Sequence, residues 1–118
     1  MKQLESIGKW KVYALETGIF SLDGGAMMGT VPKILWEKTN PSDSLNRIDL
    51  SLRCMLVDDG ENVVLIESGI GDKNPEKFTE MFNIRELTSI EKALNDTCYS
   101  YKNITHIVLT HLHFDHAG

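Results

Sequence analysis

Residues 110–118 read THLHFDHAG and contain three of the four histidines in the chain. Residues two apart in an extended segment point to the same side, so His111 and His113 can direct their imidazoles to one point. Asp115 and His116 follow where the chain must bend, and they can face a second point close to the first. Imidazole nitrogens beside a carboxylate oxygen suit zinc first, with iron, manganese and cobalt as alternatives. The segment therefore predicts a divalent metal site built from His111, His113, Asp115 and His116.

The alternative for this segment is a solvent-exposed loop or a tag-like tract of histidines. The pattern HxHxDH is far more specific than a short glycine motif, so we favour the metal site. Leu112 is expected to face away from the metal and into packing. His106 lies inside the apolar run ITHIVLT and is expected to be a structural histidine rather than a ligand.

Composition and charge restrict the partners of the chain. It has 118 residues, of which 42% are hydrophobic, and a net charge of -5 at pH 7 without a run of lysine or arginine. Nucleic acid and membrane surfaces are therefore not expected as partners. The first residues lack the apolar stretch of a secretion signal, so we expect a cytoplasmic protein. Cys54 and Cys98 lie far apart and are expected to be reduced, packed thiols.

The centre of the chain predicts a β-hairpin. Apolar residues occupy every second position from Ile48 to Leu56, which is typical of a strand with one buried face. The polar residues 58–61 predict a turn, and the unbroken apolar run 63–66 predicts a second strand buried on both faces.

The amino-terminal third predicts another strand and an irregular loop. Alternation over residues 10–14 indicates a strand, followed by a turn around Gly18. Residues 21–36, SLDGGAMMGTVPKILW, carry three glycines and a proline among apolar residues. We expect them to form an ordered loop with unusual backbone angles.

Two helices and a last strand lead to the histidines. Asn74 is expected to cap the first helix with Pro75 at its first position, and Thr88 and Glu91 have the spacing of a capping box for the second. The apolar run 104–109 predicts a short buried strand that ends at the metal motif. The residues predicted to face inward from the helices are Phe78, Met81, Phe82, Ile90, Ala93 and Leu94.

Three segments resemble one family of proteins. THLHFDHAG resembles the metal-binding signature of the metallo-β-lactamase superfamily, and LIESGIGD, residues 65–72, is similar to the strand end that precedes it there. LDGGAMMGTVPKILW, residues 22–36, resembles the amino-terminal loop of the N-acyl homoserine lactonase branch. The resemblance implies an α/β fold, α+β in some schemes, in which residues 1–118 form the amino-terminal half of one αββα sandwich. The expected sheet is mixed and mostly antiparallel, with helices on one face.

The resemblance also implies an activity and roles for the site residues. It implies a hydrolase in which water, activated by two divalent metal ions, attacks the carbonyl of a small-molecule lactone or ester. His111 and His113 would bind the first ion, and Asp115 and His116 the second, while Asp115 could also pass a proton to the leaving group. Glu67 stands where relatives usually have Asp, a residue that supports the metal-binding loop without contacting the metal.

The family's remaining metal ligands come later in the sequence than HxHxDH, which implies that this chain alone lacks a complete site. We therefore expect weak metal binding, little turnover by the chain alone, and self-association or completion by a second chain. Alternatives on the same scaffold are a glyoxalase-like thioesterase and a phosphodiesterase. A non-catalytic metal-binding or interaction half-domain is the alternative from another class.

Overall fold

A single mixed sheet forms the centre of the protein. The structure is a computed structural model that describes residues 1–95 and 97–118. Within these residues, five strands pair in sequence order, antiparallel from β1 to β4 and parallel between β4 and β5. This confirms the expected mixed, mostly antiparallel sheet. The strands are β1 (Lys2–Gln3), β2 (Lys11–Asp23), β3 (Arg47–Asp58), β4 (Val63–Ile66) and β5 (His106–Val108).

Short helices connect the strands. They are α1 (Gly24–Met28), α2 (Lys33–Trp36), α3 (Glu76–Met81) and α4 (Ile90–Leu94), with a 3-10 turn at Tyr101–Asn103. Among the residues described, no helix has the length and apolar character needed to cross a membrane.

The β3–β4 hairpin is confirmed, and its buried face is the one that the alternation predicts. Leu56 pairs with Leu65 across the two strands, and the two side chains are 0% and 3% exposed. Asp58 and Asp59 stabilise the turn by accepting hydrogen bonds from backbone amides of residues 60–62. The prediction of burial on both faces of the second arm is wrong, because the other three residues of β4 are only partly buried.

The predicted turn at Gly18 is wrong, since β2 continues through this residue with a bulge between Glu16 and Gly18. Gly18 has a φ of +149°, and a Cβ there would lie 2.9 Å from Leu87 Cδ2 and 3.2 Å from the backbone oxygen of Arg85. The glycine therefore allows a later segment to approach the strand rather than reversing the chain.

The expected loop over residues 21–36 is also corrected. β2 extends to Asp23, whose carboxylate accepts a 2.7 Å hydrogen bond from the amide of Ala26 and caps α1. Gly24 is helical and lies against the buried ring of Trp36 in α2. Of the glycines in this segment, only Gly29 has a positive φ, of 58°. The glycines thus serve helix packing and one helix end.

Both predicted helices form, but both predicted caps are wrong. Asn74 donates its side-chain amide to the carbonyls of Ile70 and Gly71, and Pro75 takes the cap position of α3. Ser89 caps α4 by accepting a hydrogen bond from the amide of Lys92, while the amide of Thr88 donates to the Thr17 carbonyl. The side chain of Asn74 is thus engaged by nearby carbonyls, and the amide of Thr88 by a carbonyl of β2, so the residue that follows each of them takes the cap position.

The core lies on the helix-covered face of the sheet, which confirms helices on one face. One buried cluster joins α4 to the sheet and is formed by Leu15, Cys54, Leu56, Leu65 and Leu94. The other is formed by Phe20, Leu52, Ile70 and Ile84, with Phe78 and Phe82 packed against it. The inward orientation predicted for Met81 is wrong, because this side chain is 57% exposed.

Strand β5 is exposed, contrary to the prediction of a buried strand over residues 104–109. Ile107 and Val108 are 62% and 47% exposed, because β5 is the edge of the described sheet and pairs only with β4. His106 is exposed as well, and its Nδ1 lies 2.9 Å from Thr105 Oγ1. An apolar run of this length indicates a strand but does not determine what covers it.

Candidate metal centre

The site lies where two parallel strands end side by side. β4 leads directly into Glu67, and β5 leads through Leu109 and Thr110 into the histidines. The amide of Glu67 donates a 2.9 Å hydrogen bond to the carbonyl of Val108, so the two strands are still paired where they enter the site. The carboxyl ends of the two strands therefore bring residues more than 40 positions apart in the sequence into contact.

Three imidazoles gather at this edge. The ring centroids of His111 and His113 are 4.6 Å apart with perpendicular planes, and those of His111 and His116 are 4.1 Å apart. Thr110 Oγ1 lies 2.9 Å from His111 Nδ1, which leaves His111 Nε2 for another partner. The structure thus brings together the histidines that the motif predicts.

A tight turn brings Asp115 and His116 back to His113. The amides of His116 and Ala117 both donate to the carbonyl of His113, at 3.0 and 3.1 Å. Asp115 Oδ2 then lies 3.2 Å from His116 Nε2. Two ligand atoms on a tetrahedral zinc with bonds of about 2.0–2.1 Å are separated by roughly 3.3 Å, so this spacing fits a shared ion.

Glu67 is the buried acid of the site. Its side chain is 10% exposed, and its backbone has a φ of 71°, which is unusual for a residue with a Cβ. Oε1 accepts a 2.9 Å hydrogen bond from the amide of Thr110, and Oε2 lies 3.1 Å from His116 Nδ1. Burial acts to raise the pKa of Glu67, but the hydrogen bonds from Thr110 and the proximity of His116 outweigh it and lower the pKa. The side chain is therefore an anion at neutral pH.

The donor set fits a divalent transition-metal ion. One ligand atom from each of Glu67, His111 and His116 lies within 4.8 Å of the others. His113 adjoins this group through the His111 ring, and Asp115 adjoins it through His116. Imidazoles with carboxylates are the ligands that zinc and its neighbours prefer. Because Glu67 already contacts the Nδ1 side of His116, the Nε2 side is the one that remains for a metal.

Sequence reasoning missed the residues that hold the motif in place. The expectation that Leu112 packs inward is wrong, since it is 82% exposed, whereas Phe114 packs against three other phenylalanines. The amide and hydroxyl of Ser68 both donate to the carbonyl of His116, at 2.9 and 3.1 Å. An aromatic residue between two predicted ligands was the signal for Phe114, whereas the pairing of Ser68 carries no local signal.

Residues 49–118, more than half of the chain, match the family model of the metallo-beta-lactamase superfamily. The chain belongs to the metallo-beta-lactamase superfamily. The match includes both Glu67 and the four predicted metal ligands. Among curated proteins, no significantly similar sequence was found.

Three solved structures are similar to this chain. A structure from Staphylococcus aureus, described as a probable metal-dependent hydrolase, is 34% identical with a TM-score of 0.88, over 95% of this chain and 41% of the other. AidC, a dizinc quorum-quenching lactonase solved with the product N-hexnoyl-L-homoserine, is 25% identical with a TM-score of 0.67, over 98% and 37%. The hydrolase AbOPH, at 23% identity and a TM-score of 0.66 over 97% and 36%, shares the fold. The chain thus spans about two fifths of the length of these proteins.

Proposed function

We propose that residues 1–118 form the amino-terminal half of a metal-dependent hydrolase domain that opens a lactone or ester. The observation that carries the proposal is the convergence of the motif residues on one edge of the sheet, with Asp115 Oδ2 and His116 Nε2 spaced as co-ligands. The similarity to a probable metal-dependent hydrolase supports the reaction class, and the similarity to a dizinc lactonase supports the substrate class and zinc.

Each residue has a distinct role in this proposal. His111 and His113 bind one ion, and Asp115 and His116 bind a second, while Glu67 orients His116 and holds the amide of Thr110. When bound, divalent cations polarise a carbonyl and lower the pKa of coordinated water. Addition of water to a lactone carbonyl and cleavage of the ring C–O bond give the hydroxy acid. In this proposal Asp115 passes the proton that the leaving ring oxygen requires.

The proposed activity is that of a complete domain. Two protein ligands for each ion are fewer than the three of a typical catalytic zinc site. The further ligands would come from sequence that corresponds to the uncovered part of the longer relatives, or from a second chain. For this chain alone we therefore expect metal binding weaker than that of a complete site, with slow turnover.

Metal content per chain tests the proposal most directly. Purified protein at dialysis equilibrium with zinc is expected to hold one or two ions per chain above the buffer background, measured by elemental analysis. The His111→Ala, His113→Ala double variant is expected to lose at least the ion that these residues bind. His106→Ala is the matched control, because His106 is exposed in β5 and contacts Thr105 instead of the motif. Equal zinc content in the wild type and the double variant would exclude this ligand set.

Substrate class is tested separately on the zinc-loaded protein. N-acyl homoserine lactones, a thioester and a phosphodiester are offered in parallel, and acid release is followed with a pH indicator. The proposal expects the wild type to open the lactone faster than the His111→Ala, His113→Ala variant does. Hydrolysis of the thioester or phosphodiester in preference to the lactone would reject the lactone assignment while leaving the metal site intact.

A further inference from the structure

The ring of Phe114, a residue that is 38% exposed, packs the middle of the metal-binding turn against the hydrophobic core. This residue stands between the ligands His113 and Asp115. Its ring centroid lies 5.0 Å from that of Phe82, 5.4 Å from Phe78 and 6.0 Å from Phe20. Two of these pairs are edge-on, which is a favourable geometry for aromatic rings.

The partners of Phe114 belong to the hydrophobic core or pack against it. Phe20, on β2, is only 2% exposed and belongs to the buried cluster that contains Leu52 and Ile70. Phe78 lies in α3 and Phe82 is the C-cap of this helix, one turn later; their ring centroids are 4.7 Å apart, and both pack against that same cluster. We call Phe20, Phe78 and Phe82 the aromatic platform.

The two ends of the turn have other contacts, made by the backbone and by the carboxylate of Glu67. His116 and Ala117 are joined to Ser68 and Gly69 by main-chain pairing, and Glu67 holds Thr110 and His116. These contacts fix the entry and exit of the motif, whereas its middle, from His113 to Asp115, is held by Phe114. Packing of this ring, at the position between two ligands, restricts the backbone rotation that would separate them.

From this geometry we infer that Phe114 is a positioning residue, and that the aromatic platform sets the spacing of the metal ligands through it. Helix α3, more than 30 residues before the motif, thereby becomes part of the metal site without contacting the metal. The effect on the turn stands on the structure alone, while the effect on metal affinity rests on the proposed function.

Hydrogen exchange on metal-free protein provides the first test, because the amides of His116 and Ala117 both donate to the His113 carbonyl. In Phe114→Ala these two amides are expected to exchange about tenfold faster or more, beyond any change in the core strands. Phe78→Ala removes part of the platform without altering the motif and is expected to act in the same direction. Phe114→Leu keeps apolar volume, so the amides of His116 and Ala117 are expected to lose less protection from exchange than in Phe114→Ala.

Leu94→Ala is the matched control for stability, since Leu94 is fully buried in the other cluster and does not touch the motif. It should accelerate exchange through global unfolding without singling out residues 116 and 117. If Phe114→Ala changes exchange uniformly, as Leu94→Ala does, Phe114 is only a core residue and the inference is overturned. A selective change in both Phe114→Ala and Phe78→Ala supports it.

Zinc affinity provides the second test and separates the two proposals. Phe114→Ala and Phe78→Ala are expected to bind zinc about 10 to 100-fold more weakly, as for other residues that orient metal ligands. Leu112→Ala, two residues before Phe114 but at a position that is 82% exposed, is expected to bind zinc like the wild type. If the wild type binds no zinc, the proposed function fails, yet hydrogen exchange still decides the role of Phe114. If the wild type and both phenylalanine variants bind zinc equally, the positioning role is rejected.

Discussion

Glu67 Oε2 lies 3.1 Å from His116 Nδ1, while Oε1 of the same carboxylate accepts a hydrogen bond from the amide of Thr110. One side chain at the end of β4 therefore holds both the start and the end of the motif that follows β5. A carboxylate on Nδ1 fixes the histidine tautomer and leaves Nε2 as the ligand atom. The glutamate thus has the length to perform the supporting role that the resemblance assigns to an aspartate.

Replacement of Glu67 is expected to weaken zinc binding. Glu67→Ala removes both contacts and should lower zinc affinity about 10 to 100-fold, measured by competition with a chromophoric chelator. Glu67→Gln keeps one acceptor for Thr110 but loses the charge beside His116, so an intermediate loss is expected. Glu67→Asp shortens the side chain and tests whether length matters. Wild-type affinity in Glu67→Ala would show that His116 is oriented by other contacts.

The proximity of His111, His113, Asp115 and His116 could be predicted from the sequence because they lie within six positions of one another. The β3–β4 hairpin was predictable for a similar reason, since alternation of apolar residues reflects which face a strand buries. Gly18 was misinterpreted because its role depends on Leu87, nearly 70 residues later, which approaches too closely for a side chain. The exposure of β5 could not be inferred, because an apolar run does not specify which elements cover the strand. Phe114 is the same case within the site, as its partners lie on β2 and α3.

The two cysteines are expected to react at very different rates. Cys98 is exposed, which corrects the expectation that both thiols are packed, while Cys54 is 1% exposed and burial raises its pKa. A thiol-specific chromogenic reagent should therefore modify one thiol quickly in native protein and the second only in denaturant. Cys98→Ser should remove the fast phase, and Cys54→Ser should leave it. Two fast thiols in native protein would contradict the buried position of Cys54.

Gly24 and Gly25 provide a matched pair for the packing of α1 on α2. A Cβ on Gly24 would lie 2.4 Å from Cη2 of the buried Trp36, so Gly24→Ala is expected to cost about 1–3 kcal/mol of unfolding free energy. At Gly25 the nearest atom is Asp23 Oδ2 at 3.1 Å, and alanine favours a helix, so Gly25→Ala should cost less. Urea titration followed by tryptophan fluorescence measures both. A larger loss in Gly25→Ala would indicate that the α1 cap matters more than the indole contact.

The Tyr99 hydroxyl donates to the Asp58 carboxylate, and this pair predicts a pH dependence of stability. The hydrogen bond from Tyr99 is the main cause that lowers the pKa of Asp58, while burial followed by this bond raises the pKa of Tyr99. Because the pKa of Asp58 is lowered, its contribution to stability is present above its ordinary pKa of about 4 and is lost as the pH falls below that value. Because the pKa of Tyr99 is raised, its contribution is present below about pH 10 and is lost as the pH rises above that value.

Tyr99→Phe should be less stable than the wild type by about 1 kcal/mol between these limits, with the difference shrinking towards both extremes. Urea titrations from pH 3 to 10.5 measure this difference, and Tyr101→Phe, at an exposed tyrosine nearby, is the control. A difference that stays constant across the whole range would show that the pair contributes packing alone.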